Sequence, residues 1–210
     1  MDASFGASNL VIFIACLLFS VGVHEAMHAF TSHWLGDTTA SDEGRLTLNP
    51  LKHLDLYTSI LLPVILILSG LPPFFAAKPV PFNPMRVKYD EFGAALIGIA
   101  GPLTNLSLAA LAALVYRAFG GSISDGFIEI LGTFLSLNVA LFVFNMIPFP
   151  PLDGSRLLYA FAPEPVQKVM YQIEMGGFMS IFIFIMIFLY TGLGQIVLNI
   201  DNAIIRFLVG

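Results

Sequence analysis

The sequence has few charges for its length and almost no cysteine. Of its 210 residues, 11% are charged and 57% are hydrophobic, a composition that excludes an ordinary soluble domain and indicates an integral membrane protein. The 9 basic and 14 acidic residues give a net charge of -5, so the chain offers no basic stripe for nucleic acid. The single cysteine, Cys16, cannot form an intramolecular disulfide, and the fold therefore owes nothing to oxidation.

The N-terminus also lacks the positively charged region that begins a signal peptide. Residues 1–4 contain no Lys or Arg, and the apolar stretch that follows runs directly into a polar motif. We therefore expect the first apolar segment, residues 9–35, to be retained as a membrane-spanning helix. Three later apolar runs predict further spanning helices at 92–116, 127–147 and 178–200.

Three ionisable side chains interrupt the first apolar segment near its C-terminal end: His24, Glu25 and His28. On a helix the two histidines lie one above the other, and Glu25 points about 100° away from His24. Two neutral imidazoles in this arrangement can bind Zn²⁺, and the carboxylate between them can move a proton for a metal-activated water. Because a charge at membrane depth costs roughly 2.5 to 3.5 kcal/mol, we favour a metal site over an unpartnered cluster.

A zinc site needs a further protein ligand, and Asp153 is the best candidate. It follows the helix predicted at 127–147, in a loop that Pro148, Pro150 and Pro151 hold extended. An Asp-Gly pair alone indicates only a turn, so the assignment depends on the unmet need for a ligand. The rival carboxylates, which lie in ordinary polar surroundings, are Asp55, Glu164 and Glu174.

The part of the chain between the first two long apolar segments has three features. Asp42-Glu43-Gly44 is typical of a turn and predicts a small β-hairpin after the first helix, whose second arm would offer an unpaired strand edge near the metal. The apolar run at 58–76 is short and interrupted by proline, and about 12 helical residues reach only some 18 Å against roughly 30 Å of hydrocarbon. Residues 79–84 contain three prolines and are expected to be extended.

Three motifs in this order and spacing resemble the site-2 protease family of intramembrane zinc metalloproteases. They are His24-Glu25-x-x-His28, the segment from Ala100 to Asn105 (AGPLTN), and the segment from Asn145 to Gly154 (NMIPFPPLDG). Ala26-Met27 stands where the familiar motif has Leu-Gly, at positions that do not touch the metal.

This resemblance implies a role for each site residue. The ligands of a single Zn²⁺ would be His24, His28 and Asp153, with Glu25 as the catalytic general acid and base. Asn145 would be a second catalytic residue near the scissile carbonyl. The implied substrate is a transmembrane helix of another membrane protein, cut within the lipid bilayer.

A non-proteolytic zinc-binding scaffold and a metal transporter are the alternative functions. A transporter is expected to show ligands at two depths or an internal repeat of broken helices, whereas this sequence shows one cluster and no repeat. We therefore predict a protease, and leave its oligomeric state open.

Sharing one metal also constrains the topology. Helices 9–35 and 127–147 must end on the same side of the membrane, so 92–116 crosses back between them and 58–76 becomes a re-entrant segment. Seven of the nine basic residues then lie on the active-site side, leaving Arg117 and Arg206 opposite; those seven are Arg45, Lys52, Lys78, Arg86, Lys88, Arg156 and Lys168. The positive-inside rule accordingly places the active site nearer the cytoplasmic face of the cell membrane.

The predicted fold is therefore an all-α polytopic membrane protein with a single domain over residues 1–210. It has four spanning helices, one short re-entrant segment and a small β-hairpin after the first helix.

Overall fold

The structure is a computed structural model that describes residues 7–55 and 77–210, with four isolated positions between them at 59, 61, 65 and 68. Its regular structure over these residues is helical, with no strand. A 3-10 helix spans Pro50–His53. The α-helices are α1 (Ala7–Trp34), α2 (Thr39–Asp42), α3 (Asp90–Phe119), α4 (Asp125–Asn145), α5 (Gly154–Phe161), α6 (Glu164–Met175), α7 (Phe178–Tyr190) and α8 (Leu193–Val209).

Helices α1, α3 and α4 are the ones among the described residues that are long and apolar enough to cross a membrane. The rings of Phe19 and Phe134 lie 5.9 Å apart between α1 and α4, and five residues further along α1, His24 meets Asp153 just beyond the end of α4. Contacts thus advance in the same direction along both helices, which run parallel. His28 instead meets Ile97 near the start of α3, so α3 runs antiparallel to α1.

Small side chains bring α3 and α4 close together. The main buried cluster combines three alanines of α3 with apolar residues of α4 and Val197 of α8; its members are Ala109, Ala112, Ala113, Leu135, Val139, Val143 and Val197. Small residues allow helix backbones in a membrane to approach closely, and van der Waals packing then holds them. This cluster holds α3 against α4, and the contact between His28 and Ile97 holds α3 against α1.

The predicted β-hairpin after the first helix is wrong. Its first arm contains the short helix α2, because Asp37 Oδ1 accepts hydrogen bonds from both the backbone N–H and the hydroxyl of Thr39, at 3.0 and 2.6 Å. This Asx-turn bends the chain immediately before the helical turn. Gly44, at φ +67°, then ends it in the left-handed conformation that glycine adopts without strain, so the Asp-Glu-Gly pattern terminates a helix.

The fourth predicted spanning helix, 178–200, is also wrong as a continuous element. The chain leaves the helical conformation at Thr191 and Gly192, which divide it into α7 and α8. The helices Glu164–Met175 and Met179–Tyr190 are together long and apolar enough for a fourth crossing, but they are bent by 103°. The predicted re-entrant segment at 58–76 lies outside the described residues apart from the isolated positions.

Candidate metal centre

Two imidazole nitrogens and one carboxylate oxygen meet where the C-terminal part of α1 approaches the loop between α4 and α5. His24 Nε2 lies 3.0 Å from Asp153 Oδ2 and 3.0 Å from His28 Nε2, and His28 Nε2 lies 3.4 Å from the same oxygen. Both histidines are buried. The three atoms form a nearly equilateral triangle, although 129 residues separate His24 from Asp153.

This triangle fits a tetrahedral zinc ion. Zinc bonds of about 2.0 to 2.2 Å to nitrogen and oxygen, at tetrahedral angles, place neighbouring ligand atoms about 3.3 Å apart. The observed separations of 3.0 to 3.4 Å agree with that value. Gly101 leaves the adjoining space open, because a Cβ atom there would lie 2.5 Å from His28 Nε2 and 2.6 Å from His24 Nε2.

The other nitrogen of each imidazole is hydrogen-bonded to an acceptor on α3. His28 Nδ1 lies 2.7 Å from the carbonyl oxygen of Ile97, and His24 Nδ1 lies 2.5 Å from Asn105 Oδ1. Both Nδ1 atoms therefore donate, which leaves each Nε2 with its lone pair. Such partners fix the tautomer and ring orientation of a metal-binding histidine.

Glu25 stands beside the triangle without taking part in it. Its carboxylate offers an oxygen within 4.8 Å of the ligand atoms of both histidines, and it is buried. Its Oε2 has no hydrogen-bond partner among the described residues. A buried carboxylate oxygen in that condition is costly unless a bound group completes the site, as expected for a residue that accepts a proton from a water.

A cavity of about 130 Å³ opens from these side chains. Its wall contains Glu25, His28 and Asp153 on one side and Pro79, Val80 and Phe82 on another; Ile97, Gly98, Pro151 and Arg156 complete it. It is large enough to hold a water. The structure thus brings together side chains that could bind a metal, a carboxylate and an adjoining cavity.

Arg156 contacts Phe82 in one wall of the cavity and Glu174 on α6. Its guanidinium carbon lies 5.6 Å from the centre of the Phe82 ring, and its Nη2 forms an ion pair with Glu174 of α6. A guanidinium over an aromatic face is attracted by the ring electrons. The contact holds Phe82 toward α5 and links the cavity wall to α6.

Pro79, Val80 and Phe82 belong to residues 77–83, here called the wall segment, which is hydrogen-bonded at both ends. At one end, Lys78 N–H donates to the carbonyl of His53 at 2.9 Å, and the buried Arg45 donates to the Lys78 carbonyl at 2.7 Å. At the other end, Asn83 N–H donates to Asp37 Oδ2 at 2.7 Å. Residues 77–83 take no helical or turn conformation, as the prolines predict.

Asp37 is the point where this segment joins the end of α1. The fully buried carboxylate accepts hydrogen bonds from Ser32, from Thr39 and from the backbone of Asn83. Burial alone would raise the pKa of Asp37, but the hydrogen bonds from Thr39, Asn83 and Ser32 hold that pKa below its usual value. The carboxylate is therefore charged and fixed at neutral pH.

The structure brings together four of the five predicted site residues: His24, Glu25, His28 and Asp153. Asn145 stands apart, because its amide donates to the carbonyl of Leu141 in its own helix at 3.0 Å and it does not line the cavity described above. The rival carboxylates Glu174 and Glu164 contact cations elsewhere, Arg156 and Lys168 respectively.

Sequence reasoning missed the partners of these residues. No role was predicted for Ser20 or Asn138, and Arg156 was considered only for the side of the membrane on which its charge lies. A polar amide within an apolar helix was the available signal for Asn138, since such a group requires a hydrogen-bond partner in the membrane. Nothing in the local pattern identifies Arg156, whose contacts come from segments distant in sequence.

Comparison with known proteins places these features in context. The family model described as Peptidase family M50 matches residues 117–189. A protein of Bacillus subtilis (strain 168), named "Putative zinc metalloprotease YwhC", is 37% identical over 192 residues, which cover 88% of this chain and 83% of that protein. No solved structure gives a significant match.

Two mycobacterial proteins named "Putative zinc metalloprotease Rip2" match over shorter lengths. The one from Mycolicibacterium smegmatis is 31% identical over 172 residues, covering 81% of this chain and 65% of the relative. The one from Mycobacterium tuberculosis (strain H37Rv) is 32% identical over 153 residues, covering 72% of this chain and 58% of the relative.

Proposed function

The chain belongs to peptidase family M50 and is an intramembrane zinc metalloprotease, and from that premise we propose which residues perform the hydrolysis. One zinc ion per chain is held by His24, His28 and Asp153, and Glu25 acts as general base and then as general acid. The substrate is a transmembrane segment of another membrane protein. The observation that carries this proposal is the triangle of three donor atoms 3.0 to 3.4 Å apart beside a carboxylate oxygen without a partner.

The chemistry divides between the metal and Glu25. Zinc bound at this site would lower the pKa of a water toward about 7 and polarise the peptide carbonyl. Glu25 takes the proton of the attacking water on its unpartnered Oε2 and passes it to the nitrogen of the leaving amine. His24 and His28 keep their Nε2 lone pairs directed at the site because α3 occupies both Nδ1 atoms.

Asn145 is proposed as a donor to the oxygen that becomes negative during attack. It belongs to the same loop motif as Asp153 and lies at the last position of α4. Its amide donates within its own helix, so the side chain must turn when substrate binds. Its share in catalysis rests on the family resemblance.

The wall segment supplies a place for the substrate backbone. A helix in a membrane keeps its carbonyls in internal hydrogen bonds, so the scissile peptide must unwind before a water can reach it. Val80 N–H and the carbonyls from Pro79 to Phe82 make no hydrogen bonds to other described residues. We propose that the unwound substrate pairs with this stretch as an added strand.

The active site lies nearer the cytoplasmic face of the cell membrane in our proposal. Lys88 N–H donates to the carbonyl of Leu35 at 2.9 Å, so the chain returns to the end of α1 just before α3 begins. The start of α3 therefore lies on the same side of the membrane as the end of α1, which is the side of the proposed site. The excess of basic residues on this side favours the cytoplasmic orientation.

Replacement of Glu25 by Gln tests the central assignment. We expect the purified Glu25→Gln protein to retain one zinc per chain by metal analysis but to lose cleavage of a panel of single-pass membrane proteins in proteoliposomes. Glu129→Gln, which changes an exposed carboxylate on α4, is the matched control and should cleave normally. Undiminished cleavage by the Glu25 variant would refute its role, and His24→Ala with unchanged zinc content would refute the ligand set.

A further inference from the structure

A line of buried amides connects three helices and ends at the imidazole of His24. Asn138 Nδ2 of α4 donates to Ser20 Oγ of α1 at 2.9 Å, and Asn105 Nδ2 of α3 donates to Asn138 Oδ1 at 2.8 Å. Asn105 Oδ1 then meets His24 Nδ1 at 2.5 Å. Ser20, Asn105 and Asn138 are all fully buried.

The orientation of each amide in this line follows from a fixed acceptor. Asn138 Nδ2 also lies 2.8 Å from the carbonyl oxygen of Phe134, and a carbonyl cannot donate a hydrogen bond. The nitrogen of Asn138 must therefore face Phe134, and its oxygen must face Asn105. Asn105 in turn must direct its nitrogen to Asn138 at 2.8 Å and its oxygen to His24, because the Ser20 carbonyl, 3.5 Å from the same nitrogen, lies at the outer limit of a hydrogen bond.

The two histidines differ in what they require. The partner of His28 is a backbone carbonyl, which is an acceptor in every conformation. The partner of His24 is a side-chain amide, which could rotate by 180° and present N–H instead of oxygen. A rotated Asn105 would favour the tautomer of His24 with its proton on Nε2, the atom that faces Asp153.

We propose that Asn138 is a positioning residue that prevents this rotation and so keeps the proton of His24 on Nδ1. It contacts neither the metal ligands nor the cavity, and it acts through Asn105. The inference rests on the proposed function, because it takes His24 Nε2 as a zinc ligand. Loss of a partner of this kind typically weakens metal binding about 10- to 100-fold.

The competing explanation is that the amides only hold the helices together. Interhelical hydrogen bonds do stabilise helix packing in membranes. That role would lower stability when Asn138 is replaced, without selecting a tautomer of His24. The two explanations therefore differ in zinc affinity, in the imidazole tautomer and in the behaviour of a double variant.

The test uses the full-length protein in detergent micelles with three readouts: zinc affinity by chelator competition, thermal unfolding, and ¹⁵N shifts of the histidine rings after zinc removal. We expect Asn138→Leu to bind zinc 10- to 100-fold more weakly and to move His24 toward the Nε2–H tautomer. Asn199→Leu is the matched control, because its side chain accepts a hydrogen bond from Gln195 of its own helix and lies outside both the line and the site. It should leave both zinc affinity and the tautomer of His24 unchanged.

A second substitution separates positioning from packing. In Asn105→Asp both side-chain oxygens are acceptors, so rotation no longer matters, and Asn105→Asp combined with Asn138→Leu should restore zinc affinity to within about threefold of the wild type. If Asn138→Leu does not fold, Asn138→Ser replaces it, since its hydroxyl is too short to reach Asn105. Unchanged zinc affinity and tautomer in the Asn138 variant, or no recovery in the double variant, would overturn the inference.

A different result, in zinc binding by the wild type and by the His24 variant, would refute the proposed function. If the wild-type protein bound no zinc, or bound it equally well as His24→Ala, the ligand assignment would fall. The ¹⁵N tautomer measurement needs no metal and would still decide whether Asn138 controls His24.

Discussion

Gly101→Ala is the substitution that most directly examines the space between the two imidazoles. The added methyl would lie 2.5 Å from His28 Nε2 and 2.6 Å from His24 Nε2, whereas nonbonded heavy atoms prefer about 3.5 Å or more. Relief of both contacts requires a displacement of about 1 Å. Metal sites tolerate deviations of only about 0.2 Å in their ligand distances, so the triangle cannot keep its geometry beside an alanine.

We therefore expect Gly101→Ala to weaken zinc binding at least about 100-fold, which corresponds to about 2.7 kcal/mol. Chelator competition on purified protein measures this loss, and thermal unfolding verifies that the fold persists. Gly132→Ala is the matched control, because a Cβ atom there meets nothing within 4 Å. It should bind zinc normally and gain up to about 1 kcal/mol of helix stability. Wild-type zinc affinity in the Gly101 variant would show that the metal does not lie between these imidazoles.

Three further predictions concern the surroundings of the site. Asp37→Asn should lower the free energy of unfolding by about 1 to 3 kcal/mol. Because the folded-state pKa of Asp37 is held low, its contribution to stability is present above the unfolded-state pKa and is lost as the pH falls through the folded-state pKa. Unfolding at several pH values measures this, and equal acid sensitivity of the variant and the wild type would contradict it. Arg156→Ala should raise KM about three- to tenfold with less change in kcat on a peptide substrate, because Phe82 loses its contact with the guanidinium. An unchanged KM would show that this contact does not position the cavity wall for substrate binding. In a Cys16→Ser background, a membrane-impermeant thiol reagent should label Lys168→Cys only from the cytoplasmic side and Ser122→Cys only from outside, and the reverse pattern would invert the proposed topology.

The candidate metal ligands could be recognised in the sequence because burying their polar groups in a membrane is energetically costly. Two histidines and a glutamate at helical spacing have few stable arrangements in lipid other than a metal site, and that need directed the search to Asp153. The same reasoning required α1 and α4 to end on one side, and the contacts of the described residues run in that direction. Asn145 is still a prediction, since the structure gives its amide a partner in its own helix.

The errors arose where local pattern permits two structures. Asp42-Glu43-Gly44 suits a hairpin turn and a helix end equally, and the deciding contact is the Asx-turn between Asp37 and Thr39, which depends on how α1 ends. The apolar run at 178–200 has the length of a span, but hydropathy does not record the break at Thr191 and Gly192. The link between Arg156 and Phe82 joins positions 74 residues apart, beyond the range of any periodicity.

The separation of His24 and Asp153 along the chain has a consequence for how the enzyme matures. In the proposed site a metal would join residues 129 positions apart and act as a reversible cross-link, and no such site exists in the unfolded chain. Its ligands would meet only after α1, α3 and α4 have assembled, because α3 supplies the acceptors that aim both imidazoles. We therefore expect a newly inserted chain to gain proteolytic activity only with the last step of its own assembly.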